Sequence, residues 1–137
     1  MKGASEMQEV LEFLKENPVF YIATVEGDQP RVRPFGAVTE FEGKLYICTN
    51  NTKKVFNQIQ KNPKIEIFGM GKKGLNIRVE GKCFSDNRRE AKEKMLADNE
   101  VLKNMYSLDD GIFAVLYLED ATASFTSMKG IEKEIKF

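Results

Sequence analysis

Two short stretches carry residue types that could hold an anion. In Arg31-Val32-Arg33-Pro34-Phe35-Gly36 the two arginines are two positions apart on an extended segment. Their side chains therefore share one face. Such a pair either meets surface carboxylates or forms a phosphate clamp. Pro34 removes a ladder donor and marks an edge or a bulge. Gly36 leaves room for a flat group to approach the backbone. The second stretch, Thr49-Asn50-Asn51-Thr52-Lys53-Lys54, joins the end of a strand to the start of a helix. Asn and Thr are good N-caps. Lys53 and Lys54 oppose the helix dipole at a cost of about 0.3–1 kcal/mol each. Either the two ammonium groups are solvated, or an anion sits at the helix start and offsets that cost. A turn at Glu42-Gly43 folds residues 31–41 back on 44–49. Residues near 35–37 are then expected opposite residues near 47–49, so both stretches meet in one place.

A third motif has the spacing of a nucleotide loop. Gly69-Met70-Gly71-Lys72-Lys73-Gly74 satisfies G-x-G-x-x-G. The dinucleotide fingerprint needs a helix to open there. The continuation, Leu75-Asn76-Ile77-Arg78-Val79-Glu80, alternates like a strand instead, so a hairpin with two solvated lysines is expected. The chain has no His. That excludes Ser-His-Asp and Cys-His nucleophilic sites and His-ligated metals. Cys48 and Cys83 are too few for a four-ligand zinc site or a disulfide framework. No metal site is expected, and no side chain stands out as a catalytic acid or base. Tyr46, Cys48 and Tyr106 are the candidates, and each is as readily placed in packing.

The elements that must position these residues are mostly strands. Ser5 with Glu6, Val10, Leu11 and Leu14 predicts a capped amphipathic helix ending before Asn17-Pro18. Strands are predicted over 19–25, 31–41, 44–49, 64–70, 74–84, 112–118 and 122–127, with a short one over 132–136. Tight turns at Glu26-Gly27-Asp28, Glu42-Gly43 and Glu119-Asp120 make successive strands antiparallel. Helices are predicted over 52–61, ending at Asn62-Pro63, and over 87–106 in two pieces. The expected class is α+β, mainly β: antiparallel strands closing into a barrel, with a few peripheral helices plugging its openings.

The 137 residues fit one domain over 1–137. Hydrophobic residues make up 42% and charged residues 31%, which excludes wholesale disorder. With 21 basic and 21 acidic residues the formal charge is zero, so no nucleic-acid partner is expected. No stretch reaches the roughly 18–20 apolar residues of a membrane span. Met1 to Glu6 lacks the apolar run of a signal peptide, so a cytoplasmic location with reduced cysteines is expected.

Several segments together resemble the pyridoxamine 5'-phosphate oxidase-like flavoproteins. They are residues 31–36, Leu45-Tyr46-Ile47-Cys48-Thr49-Asn50, Lys53, Asn62-Pro63-Lys64-Ile65-Glu66-Ile67, Ile77-Arg78-Val79-Glu80-Gly81 and Asp120-Ala121-Thr122-Ala123. The resemblance covers nearly the whole chain. It implies a split β-barrel, a homodimer, and FMN in a groove at the dimer interface. Arg33 would contact the FMN phosphate, with Arg31 sharing its face, and Lys53, together with Lys54, would meet the same group. Pro34, Phe35 and Gly36 would line the isoalloxazine through their backbones. Cys48, Thr49 and Asn50 would bond to the ring or ribityl chain, and Asn76 would come from the second subunit. No His or Arg follows Phe113, where true pyridoxamine phosphate oxidases place substrate-binding basic residues. That departure argues against oxidation of pyridoxamine phosphate itself. The expected function is therefore an FMN-dependent oxidoreductase of unknown substrate. The alternative is a non-catalytic flavin-binding or redox-sensing module on the same barrel. A further alternative keeps the barrel but binds haem or a deazaflavin; haem is disfavoured by the lack of His as the usual axial ligand, although Cys, Met or Tyr could serve.

Overall fold

The computed structural model describes residues 2–137, with side chains from Glu6 onward. Its strands are β1 (Phe20–Glu26), β2 (Gln29–Phe35), β3 (Val38–Phe41), β4 (Lys44–Asn50), β5 (Lys64–Met70), β6 (Asn76–Asp86), β7 (Phe113–Ser127) and β8 (Gly130–Lys136). The helices are α1 (Lys2–Glu16), α2 (Lys54–Lys61) and α3 (Arg89–Asp98), with short 3-10 turns at Lys72–Gly74 and Glu100–Asn104. Every strand pair is antiparallel. The strands run in the order β2-β1-β5-β6-β7-β4-β3, with β8 also on β7. The result is an open, barrel-like sheet, the mainly β split barrel expected from the sequence.

The split lies in β7. Residues 113–117 pair with β4, whereas residues 122–127 pair with β8. On its other edge β7 pairs with β6 along both halves. The handover from β4 to β8 falls at Asp120, which has φ +50. Opposite it the β6 register shifts between Glu80 and Lys82, and a Cβ on Gly81 would lie 3.1 Å from the Glu119 carbonyl oxygen. Glu119-Asp120 is thus a bend within one long strand, not the turn between two strands that its polarity predicts.

A second correction concerns residues 31–41. They form two strands rather than one, broken at Gly36-Ala37. β2 pairs with β1 from Glu26↔Gln29 to Phe20↔Phe35. β3 pairs with β4 from Phe41↔Lys44 to Val38↔Ile47, at the other end of the sheet. The chain between them closes the barrel covalently.

The interior is filled by Phe20, Ile22, Ile47, Ile67, Ile77, Val79 and Leu116 from the strands. α1 adds Met7, Val10, Leu11 and Leu14, and α2 adds Val55 and Ile59. The i, i+3, i+4, i+7 spacing on α1 turns one apolar stripe inward. Ser5 falls inside α1 rather than at its cap, and its side chain lies outside the described residues. The β5–β6 connection is the hairpin expected at Gly69–Gly74. There a Cβ on Gly71 would meet the Phe13 ring at 2.8 Å, so this glycine makes room for α1.

α3 and the following 3-10 turn cover the outer face of β4 and β7, burying Ala91, Met95 and Leu102 against Tyr46, Phe113 and Val115. One carboxylate pins this layer. Asp86 accepts bonds from the Tyr46 hydroxyl (2.7 Å), the Arg88 amide (3.0 Å) and Arg88 Nη2 (2.9 Å). Arg88 also reaches Glu42 at 2.6 Å. The Arg88 hydrogen bond, more than any other contact, lowers the Asp86 pKa to about 2 against an ordinary 3.8. Burial and the nearby carboxylate push the Tyr46 phenol up. A lowered carboxyl stabilises the fold above its ordinary pKa, and that stabilisation is lost as pH falls toward the folded value. Asp86→Asn should therefore cost about 2 kcal/mol at pH 7. In denaturant unfolding, the gap to the parent should narrow as pH is lowered from about 4 toward 2; a gap constant with pH would refute this.

Candidate functional site

The corner between β2 and β3 leaves a cleft of about 290 Å³. One wall is Arg33, Pro34, Phe35, Gly36 and Ala37. Facing it are Cys48 and Thr49 at the end of β4, then Lys53 and Val55 at the start of α2. The third wall is Val101, Leu102, Met105 and Tyr106. Eight of the residues singled out from the sequence thus meet here: Arg33, Pro34, Phe35, Gly36, Cys48, Thr49, Lys53 and Tyr106. The pairing of β3 with β4 stops at Val38↔Ile47, so residues 35–37 face Cys48 and Thr49 across a gap, not across a ladder. Gly36 packs on its other side as well: a Cβ there would lie 3.3 Å from the Pro18 carbonyl oxygen.

Arg33 is held from behind. Its Nη1 donates to the Ile22 carbonyl (3.1 Å) and Thr24 Oγ1 (2.8 Å), and its Nη2 donates to Gln58 Oε1 (2.6 Å). Thr24 and Gln58 are buried. These contacts use three of the five guanidinium donors. No carboxylate among the described residues pairs with Arg33, whereas Arg31, Arg78, Arg88 and Arg89 each form an ion pair. Burial, then repulsion from Arg31, lowers its pKa from the ordinary arginine value. The group still stays charged at any working pH.

Lys53 is the N-cap residue of α2, with extended backbone and no side-chain cap bond, and the first turn of α2 has no acidic residue. Positive charge and positive helix end therefore coincide at the cleft. Burial pushes the Cys48 thiol up to about 12, with Lys53 pulling the other way. Cys48 is then a neutral, weakly polar lining group, not a nucleophile.

Four expected residues lie off the cleft lining. Arg31 is exposed and bound to Glu26 at 2.9 Å. Lys54 is exposed, and its charge adds a little to the lowering of the Glu26 pKa that the Arg31 hydrogen bond chiefly causes. Asn50 is buried just behind the wall, where its Nδ2 donates to the Tyr106 hydroxyl at 3.1 Å and its Oδ1 accepts the Thr52 amide at 3.0 Å. Asn76 begins β6, opposite Met70 and Thr126.

The sequence reading missed Thr24, Gln58 and, on the third wall, Val101, Leu102 and Met105. Thr24 alternates inward on β1 and Gln58 lies on the inner face of α2 with Val55 and Ile59, so their positions were readable but their partner was not. Tyr106 stacks on Phe113 with centroids 5.0 Å apart, which fixes the third wall to β7.

With both thiols raised to about 12 by burial, native protein at pH 7.5 should react with a thiol reagent orders of magnitude more slowly than a free cysteine. Unfolding should release two fast-reacting thiols. Rapid native labelling of Cys48 would contradict this environment.

Comparison with known proteins agrees with this geometry. The family profile of pyridoxamine 5'-phosphate oxidase matches residues 7–119. No curated protein matches the chain. Among solved structures, a NimC/NimA family protein from Clostridium acetobutylicum is 58% identical, covering 96% of this chain and 93% of its own, with TM-score 0.91. General stress protein 26 from Bacillus anthracis str. Sterne shares the fold at 18% identity and TM-score 0.76, with both chains covered over 100%. A pyridoxamine 5'-phosphate oxidase-related, FMN-binding protein from Nostoc punctiforme shares it at 16% identity and TM-score 0.67, covering 95% of this chain and 85% of its own. The chain belongs to the pyridoxamine 5'-phosphate oxidase family and, through its Clostridium acetobutylicum relative, to the NimC/NimA family.

Proposed function

We propose that the chain is an FMN-dependent oxidoreductase of the cytoplasm, with its cofactor in the cleft between Arg33 and the 101–106 wall. The observation that carries this reading is Arg33: a half-buried guanidinium, fixed by three hydrogen bonds and balanced by no carboxylate among the described residues. Such a group fits a phosphate, which can take its remaining donors in charge-assisted bonds. Lys53 adds a second charge at the start of α2, and Thr49 a hydroxyl, on the facing wall. The rest of the cleft is mainly apolar, as a planar ring requires. The Nostoc punctiforme protein of the same fold is described as FMN-binding.

In this reading Arg33 and Lys53 hold the phosphate, with Arg31 and Lys54 adding positive potential outside. The backbones of Pro34, Phe35 and Gly36 run along the ring, and Cys48, Thr49 and Asn50 bond to the ring or ribityl chain. Bound FMN would supply the electron transfer, which no side chain of the cleft can supply. The protein's own part is binding, orientation and exclusion of water. The lining holds no carboxylate, and the Cys48 thiol stays protonated. That same lack of an acid or base favours the second reading, a flavin-binding or redox-sensing module without turnover. Oxidation of reduced nicotinamide by the flavin-loaded protein separates the two.

A cleft of 290 Å³ sits at the small end of ligand pockets, which run to about 300–1,000 Å³. A homodimer resolves this, the second copy covering the open side and bringing Asn76 toward the ring. FMN should then shift sedimentation of dilute protein toward the dimer by mass action. A monomer that binds FMN with full affinity would refute the dimeric site.

Purified protein loaded with FMN should show a bound-flavin visible spectrum. Arg33→Ala and Lys53→Ala should each weaken FMN binding by roughly 10- to 100-fold, the worth of one charge-assisted contact of about 1.5–3 kcal/mol. Unchanged affinity in both variants would remove the phosphate assignment.

A further inference from the structure

We infer that Gln58 is a positioning residue that keeps Arg33 free for the anion by standing between it and Glu26. The inference rests on the phosphate reading above and adds a residue that does not line the cleft. Gln58 is 5% exposed, on the inner face of α2. Its Oε1 accepts two donors, Arg33 Nη2 at 2.6 Å and the Thr24 hydroxyl. Thr24 Oγ1 in turn accepts Arg33 Nη1 at 2.8 Å. With its oxygen committed, the Gln58 amide must turn its nitrogen the other way, where Nε2 meets Glu26 Oε2 at 3.5 Å.

The order along this chain is arginine, neutral amide, carboxylate, arginine. Glu26 is taken at its far side by Arg31, through Nη2 at 2.9 Å and Nε at 3.1 Å. Gln58 thus gives Arg33 an acceptor that fixes its plane without cancelling its charge. A carboxylate in the same position would fix the plane and neutralise the charge. An apolar side chain would leave Nη2 without its partner, so that only the Nη1 bonds to Ile22 and Thr24 fix the guanidinium. Because α2 carries both Gln58 and Lys53, the amide also sets the arginine against the lysine across the cleft.

The test compares FMN with riboflavin, which lacks only the phosphate. Both affinities are measured by flavin fluorescence for the parent, Gln58→Leu, Gln58→Glu, Arg33→Ala and the double variant Arg33→Ala/Gln58→Leu. The parent should prefer FMN. Gln58→Leu should reduce FMN affinity roughly tenfold and leave riboflavin affinity unchanged. Gln58→Glu should reduce FMN affinity further, again without effect on riboflavin. In the Arg33→Ala background, Gln58→Leu should cause no additional loss of FMN affinity. Equal losses for both ligands would show a merely structural role, and additive losses in the double variant an independent one; either overturns the inference. A parent that prefers FMN, with the preference intact in Gln58→Leu and Gln58→Glu, overturns the inference and spares the phosphate reading. A parent without that preference overturns both. Riboflavin affinity, or thermal unfolding where it is weak, reports whether each variant has folded.

Discussion

The two end strands of the sheet are joined by covalent chain and not by hydrogen bonds. β2 and β3 occupy opposite ends of the strand order, yet only Gly36 and Ala37 separate them. Those residues cannot sit in either ladder, so a short run of backbone crosses the open seam of the barrel. This constraint makes the cleft. It sets Arg33 to Ala37 along one side and leaves the end of β4 and the start of α2 as the facing side. It also explains the glycine, since the crossing chain passes within 3.3 Å of the Pro18 carbonyl at the position of an added Cβ.

A seam of exposed backbone would by itself bind nothing in particular. What gives it chemical direction is the charge placed at one end. Arg31, Arg78 and Arg89 spend their charge on carboxylates at the surface, where such pairs are worth little, and Arg88 spends its charge on the buried Asp86. Arg33 is drawn inward and given only neutral acceptors, the Ile22 carbonyl, Thr24 and Gln58. A desolvated charge without a counterion is costly in the free protein, and an anionic ligand removes that cost.

The sequence revealed the fold better than it revealed the reasons for the site. Glu42-Gly43 announced its hairpin because both residues take positive φ, +52 and +79, as the tight turn demands. Alternation along residues 75–80 correctly turned the G-x-G-x-x-G run into a hairpin. Residues 31–41 misled because a strand interrupted by Pro34 and a strand that ends at Phe35 read alike; only the pairing partners distinguish them. Glu119-Asp120 misled for the same reason, since a polar pair marks a turn or a solvent-facing bend equally well. The candidate site was legible where the residues carry charge or lack a side chain. The role of Gln58 was not, because its place on the inner face of α2 says nothing of the arginine 25 positions earlier that comes to rest against it.

The cleft is also mechanically uneven. Its Arg33 end is tied into the barrel interior, because α2 buries Val55, Gln58 and Ile59 while Lys53 caps the same helix. Moving the buried Gln58 means moving the helix, and that would open packed volume in the core. The 101–106 wall is a 3-10 turn and the loop after it, held by Leu102, by the Tyr106–Phe113 stack and by the Asn50–Tyr106 hydrogen bond. Val101 and Met105 on that wall stay largely exposed, at 68% and 61%. Substitution of those two residues removes little packing, whereas change at Val55 opens packed volume in the barrel core. The fold therefore ties one end of the cleft into the barrel core and leaves the apolar end lightly packed at the surface.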